Sequence, residues 1–114
     1  MSQITCHVLD TARGCPAAGL PVQLFQQTAE QQWLSLGQGC TNEDGRVTNL
    51  LATERPLPAA TYRIRFVIRE YLEASGQAIF YPYADVVFCI PGDGQHYHIP
   101  LLVSPYGYST YRGS

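Results

Sequence analysis

Lysine is absent from this chain of 114 residues, and all seven basic residues are arginines. Without a lysine amine there is no Schiff-base nucleophile and no phosphate-loop lysine. Charge of either sign is scarce, at 14% of residues against about 25% in an average soluble protein. The net charge is −2 with no basic stripe, which excludes nucleic acid as the expected partner. So sparsely charged a surface suits a chain that hides part of its exterior in an oligomer, although Gln-rich and Ser-rich solvent faces give the same count. No apolar run approaches the roughly 20 residues of a membrane span, and the opening MSQITCHVLD lacks the basic start and apolar stretch of a signal peptide. A cytoplasmic protein without a membrane partner is expected. The four cysteines, Cys6, Cys15, Cys40 and Cys89, are scattered with no CxxC pair, which predicts reduced and mostly buried structural thiols. Also missing are a G-x-S-x-G elbow, an H-E-x-x-H helix and a glycine-rich phosphate loop.

What is present is a succession of short alternating runs. The length predicts a single domain, residues 1–114, burying about 65% of its unfolded surface. Ile4 to Leu9 alternates, with Ile4, Cys6 and Val8 facing the core and Thr5, His7 and Leu9 facing out. Strands are also predicted at Pro21 to Gln26, Trp33 to Gly37, Tyr62 to Arg69 and Ala84 to Ile90. In Tyr62 to Arg69, arginines 63, 65 and 69 fall on the side opposite Tyr62, Ile64 and Phe66, which predicts one core face and one watered face. Glu70 to Ser75 predicts a short helix stopped by Gly76. Thr41 to Arg46 is a polar turn in which Gly45 takes a positive φ and Arg46 opens the next strand.

The last twenty residues form two strands about a Ser104-Pro105-Tyr106-Gly107 turn. Tyr97, Ile99, Leu101 and Val103 share the core face; His96, His98, Pro100 and Leu102 share the outer one. That outer face is too apolar to be simply wetted, and a subunit interface with histidines set into it is expected. The pattern as a whole predicts an all-β, antiparallel β-sandwich of seven or eight strands with one short helix. His7, Arg46, His98 and the terminal Tyr111-Arg112-Gly113-Ser114 are the candidates for chemistry. Spacing alone does not say that they meet.

Four stretches carry a resemblance: His7-Val8-Leu9-Asp10-Thr11 with Gly14-Cys15-Pro16-Ala17; Thr41-Asn42-Glu43-Asp44-Gly45-Arg46; His96 to Leu102; and Ser104 to Ser114. Together they resemble the transthyretin-related 5-hydroxyisourate hydrolases, from residue 7 to the last. The terminal Tyr-Arg-Gly-Ser is the specific part, since hormone-carrying transthyretins share the Ser-Pro-Tyr turn but lack this tetrapeptide and the histidines. The departures are Cys15 and Tyr81-Pro82-Tyr83, where phenylalanine more often precedes the proline.

The resemblance implies a transthyretin-like fold, a homotetramer built as a dimer of dimers, and active sites in a channel between outer sheet faces. It implies hydrolysis of 5-hydroxyisourate to 2-oxo-4-hydroxy-4-carboxy-5-ureidoimidazoline, without cofactor or metal. It carries catalytic and substrate-binding roles over to His7, Arg46, His98 and Ser114, with Tyr111 shaping the pocket; replacing His96 is the control for the choice of His98 within the His-x-His pair. These residue types suit the reaction: imidazole is a base near neutrality, and the planar guanidinium matches a flat ring or an oxyanion. Ser114 would act through its hydroxyl or its terminal carboxylate. Two alternatives stand beside this: zinc held by His7, His96 and His98, and a carrier that binds a small ligand without transforming it.

Overall fold

The structure is a computed structural model that describes residues 2–51 and 55–114. Its strands are β1 (Ile4–Asp10), β2 (Cys15–Pro16), β3 (Pro21–Gln27), β4 (Trp33–Cys40), β5 (Arg46–Val47), β6 (Ala60–Phe66), β7 (Ala84–Ile90), β8 (Tyr97–Ser104) and β9 (Gly107–Thr110), with one helix, α1 (Arg69–Ala74), between β6 and β7. Two sheets face each other: β2-β1-β8-β9, with β5 also paired to β1, and β4-β3-β6-β7. This is the expected sandwich, and its core is the set of alternate residues predicted to point inward. Ile4, Cys6 and Val8 from β1, Val22 and Leu24 from β3, Tyr62, Ile64 and Phe66 from β6, and Leu101 and Val103 from β8 are fully buried. Each large apolar side chain removed from water in this way contributes about 1.5–3 kcal/mol. No helix among the described residues is long and apolar enough to cross a membrane.

One pairing departs from the antiparallel pattern. β1 and β8 run parallel, in register from Ile4 opposite Tyr97 to Asp10 opposite Val103. Parallel neighbours need a long crossover, and here it is most of the chain. The two-residue strands β2, absent from the sequence reading, and β5, which Arg46 opens as expected, are short clips on β1.

Helix α1 ends as predicted. Gly76 has φ of 70°, the Gln77 amide donates to the Leu72 carbonyl at 2.8 Å, and the Gly76 amide donates to that of Glu73 at 3.1 Å, the pair of bonds that closes a helix around a left-handed residue. Tyr71 and Leu72 bury against the core. The Tyr71 hydroxyl and the Gln77 amide both donate to Asp10 Oδ2, at 2.7 and 2.9 Å, tying the helix to the end of β1. Burial works to raise the Asp10 pKa, but these bonds together with the Arg13 and Ala12 amides outweigh it and hold the carboxyl below its ordinary value.

Three expectations need correction. The arginine face of β6 is not simply wet: the Arg63 guanidinium lies 4.4 Å from the Phe25 ring and 4.5 Å from the Trp33 ring, and Arg65 pairs with Asp85 at 2.8 Å while stacking 4.0 Å from Tyr83. Weakly hydrated planar cations settle on aromatic neighbours across a sheet. Next, Pro100 is buried although it lies on the outer side of β8, because the chain's own C-terminal segment folds over it. Finally, all four cysteines are free, but only Cys6 is buried; Cys40 and Cys89 are exposed.

Candidate active site

The polar turn before β5 sets the first part of the site. Asn42 Oδ1 accepts from the amides of Asp44 and Arg46 at 2.9 and 3.0 Å, and Gly45 holds φ at 75°, as its place in the turn predicted. The Val8 amide donates to the Gly45 carbonyl at 2.7 Å, and a Cβ at Gly45 would stand 2.4 Å from the Val8 oxygen. Only glycine lets the turn come this close. The result is that Arg46 is placed directly opposite His7, as Cα partners in the β1–β5 ladder.

The same turn orients His7. Its Nε2 lies 2.8 Å from the Asp44 carbonyl; a carbonyl only accepts, so Nε2 carries a proton, and in the neutral ring the lone pair is on Nδ1. The His98 ring, on the neighbouring strand, has its centroid 6.4 Å from that of His7. Burial, followed by the charges of Arg46, His7 and His96, lowers the His98 pKa below its ordinary value. A neutral imidazole at neutral pH follows.

The C-terminal segment completes the arrangement. β9 ends at Thr110 rather than running to the last residue; the chain then turns back so that Gly113 bridges His98, its amide donating to the His98 carbonyl at 2.9 Å. Ser114 is thereby delivered to a cleft of about 210 Å³ that it lines with Thr5, Arg46, Thr48, His96 and His98. Of the residues singled out in the sequence, Arg46, His98 and Ser114 therefore share one cleft, and His7 stands beside it. Tyr111 does not line it. This side chain is exposed and borders a larger cleft of about 510 Å³, together with Val87 of β7, Tyr97, Thr110 and Arg112.

Two contributors, Thr5 and Thr48, were missed by sequence reasoning. Thr48 joins the cleft just after β5, and His96, named from the sequence only as a zinc alternative and a control, is drawn in by Thr5. The Thr5 hydroxyl lies 2.8 Å from His98 Nδ1 and 2.9 Å from His96 Nε2. The signal for it was a hydroxyl two residues before His7, on the same outward face. Those two nitrogens are engaged by Thr5 rather than aimed at a common ion, and no group of three His, Cys, Asp or Glu among the described residues is arranged to hold a metal. Cys6 borders the cleft, but burial pushes its thiol up to about 12, so it stays protonated and is a poor nucleophile.

Comparison with known proteins bears on what such a cleft serves. The family model described as the HIUase/Transthyretin family matches residues 4–113. A mouse protein named 5-hydroxyisourate hydrolase is 47% identical over 114 residues, covering 99% of this chain and 96% of its own. A protein of the same name from Caulobacter vibrioides is 47% identical over 119 residues, covering all of both chains. The crystal structure of sea bream transthyretin in complex with thyroxine superposes with a TM-score of 0.91 at 33% identity, covering 97% of this chain and 94% of that one. With the family model matched over residues 4–113 and relatives matched over nearly the full length, the chain belongs to the HIUase/Transthyretin family.

Proposed function

We propose that this protein is a 5-hydroxyisourate hydrolase, a cyclic amide hydrolase formed by one domain of residues 1–114. The observation that carries the reading is the convergence of the His98 imidazole, kept neutral by burial and by Arg46, with Arg46 itself in a single cleft. The names borne by the mouse and Caulobacter relatives supply the substrate. Water attacks the C6 carbonyl of 5-hydroxyisourate, its proton passing to the His7 and His98 pair. The N1–C6 bond then breaks with return of that proton to the ring nitrogen, leaving 2-oxo-4-hydroxy-4-carboxy-5-ureidoimidazoline. No cofactor takes part. Arg46 holds the flat ring and the oxyanion through its fork of donors. Ser114 orients substrate or water with its hydroxyl, and Tyr111 contributes where subunits meet.

A homotetramer, a dimer of dimers acting in the cytoplasm, is part of the same proposal. It is supported by apolar side chains that a single chain leaves open: Val87 on the edge strand β7 is 56% exposed, Phe80 62% and Tyr106 70%. The sea bream protein binds thyroxine, but imidazoles and a guanidinium in the cleft favour hydrolysis over carriage here. The test is the absorbance decay of freshly generated 5-hydroxyisourate with and without protein. Acceleration is expected, and decay no faster than the spontaneous rate refutes the enzyme and leaves the carrier.

A further inference from the structure

Thr5 is buried, with 3% of its surface exposed, and its hydroxyl touches two imidazoles that the sequence separates from it by 91 and 93 positions. A hydroxyl has one proton to give and lone pairs to receive. If both rings donated to it, its own proton would be left unpaired in a buried place, which is costly. The hydroxyl therefore accepts from one ring and donates to the other. In one direction His98 Nδ1–H donates to Thr5 and Thr5 donates to His96 Nε2. In the other, His96 donates, Thr5 donates to His98 Nδ1, and the His98 proton sits on Nε2.

Exposure and charge choose between them. His96 is exposed, so water satisfies its remaining nitrogen in either tautomer and His96 imposes no preference. The groups facing His98 are Arg46, His7 and His96. The Arg46 cation, in the cleft that His98 also lines, favours a lone pair over an N–H on Nε2, the ring nitrogen that Thr5 leaves free. Gly113 closes over the Cδ2 edge of the same ring, where a Cβ would lie 2.6 Å away, and turning the ring over would put Cδ2 in place of Nδ1 and forfeit the bond to Thr5.

We propose that Thr5 is the positioning residue of the hydrolytic site: it holds His98 in the Nδ1–H tautomer by relaying the hydrogen bond to His96, and thereby leaves His98 Nε2 as the lone pair that takes the proton from water. This rests on the hydrolase reading and goes further, by naming the base nitrogen and giving His96 a task. His96 is not a bystander but the acceptor that sets the direction of the chain. Thr5 acts on the reaction through the His98 ring, with its hydroxyl engaged by the two imidazoles.

The experiment uses the full chain, labelled with ¹⁵N histidine. In the unsubstituted protein the His98 ring should give the pattern of a protonated Nδ1 and an unprotonated Nε2; an Nε2–H pattern overturns the proposal whether or not the protein hydrolyses anything. Thr5→Val keeps the shape and removes the hydroxyl. It should mix the His98 tautomers and lower kcat on the order of 10²-fold with little change in KM, while Thr5→Ser restores most of the turnover. His96→Asn should shift the His98 pattern in the same direction as Thr5→Val. A Thr5→Val protein with ordinary kcat, or one in which only KM rises, refutes the relay. If Thr5→Val does not fold, the tautomer of the unsubstituted protein and the Thr5→Ser and His96→Asn spectra decide alone. No acceleration by the unsubstituted protein refutes the hydrolase reading and leaves the tautomer result standing.

Discussion

Adding one methyl group at Gly113 should disable this site without unfolding the protein. The backbone there is not in a conformation reserved for glycine, so the effect is one of space. A Cβ would lie 2.6 Å from His98 Cδ2, 3.3 Å from His98 Cγ and 3.1 Å from Pro100 Cγ, where ordinary contact begins at 3.4 Å. The nearest of these is short by 0.8 Å (3.4 − 2.6). Pro100 is rigid and buried, and the His98 ring is held through Nδ1. The C-terminal segment must therefore give way, stretching the 2.9 Å bond from the Gly113 amide to the His98 carbonyl and carrying Ser114 with it. A misplacement near 1 Å in a catalytic arrangement costs about 10²-fold in rate, or roughly 2.7 kcal/mol of barrier. Stability should change by less than about 1 kcal/mol, because the displaced segment is terminal and mostly exposed. Initial rates of 5-hydroxyisourate decay above the spontaneous rate, read beside a thermal melt, make the comparison. A Gly113→Ala protein with unchanged kcat and KM refutes the claim that this glycine exists to let the segment close over His98.

The other predictions concern single groups. Since the His98 pKa is lowered and the working form is the neutral one, activity should be full above the free-histidine value of about 6.5 and fall only as pH drops through the lowered one; an acid limb above 6.5 in the kcat/KM profile contradicts this. Arg46→Lys should lose on the order of 10²-fold in kcat/KM, because a point charge does not reproduce the planar fork; full activity would show that charge alone suffices. Leu102→Glu, on the half-buried outer face of β8, should give a folded chain by circular dichroism whose sedimentation coefficient and activity fall together, and an active monomer sinks the shared-site reading. In the folded protein at neutral pH a thiol reagent should modify Cys40 and Cys89 and spare Cys6, whose thiol is buried and protonated; labelling of Cys6 without unfolding overturns that.

Periodicity made most of the scaffold legible. The alternation of Tyr62, Ile64 and Phe66, the turn glycine at 45 and the helix stop at Gly76 are local signals, written within a few neighbours of the residue they govern. Parity also assigned His7 and His98 to outward faces before any pairing was known. What local sequence does not encode is which strands adjoin, so the parallel β1–β8 register, which brings Thr5 beside His98, was invisible. The same gap hid the stacking of Arg63 on Phe25, its partner across β3 and β6. Pro100 was misjudged because alternation reports the side of the sheet but not what later folds over it. The interface expected on that face thus rests on Leu102 and on the exposed aromatics, not on Pro100.

The parallel pairing of β1 with β8 also dictates when function can appear during synthesis. Thr5 and His7 leave the ribosome early, while His98 and the segment that covers it come last. Neither half of the chain holds the whole of the His98 cleft, and no fragment lacking the final strands has His98 to offer. Closing a loop of this length exacts chain entropy before any contact rewards it, so β1 must wait with its β8-facing edge unpaired, and such edges invite association with other chains. Onset of catalysis would then serve as a clock for the last folding event, and a refolding experiment that follows activity beside the fluorescence of Trp33, which stacks on Arg63 across the second sheet, would see the scaffold mature before the enzyme does.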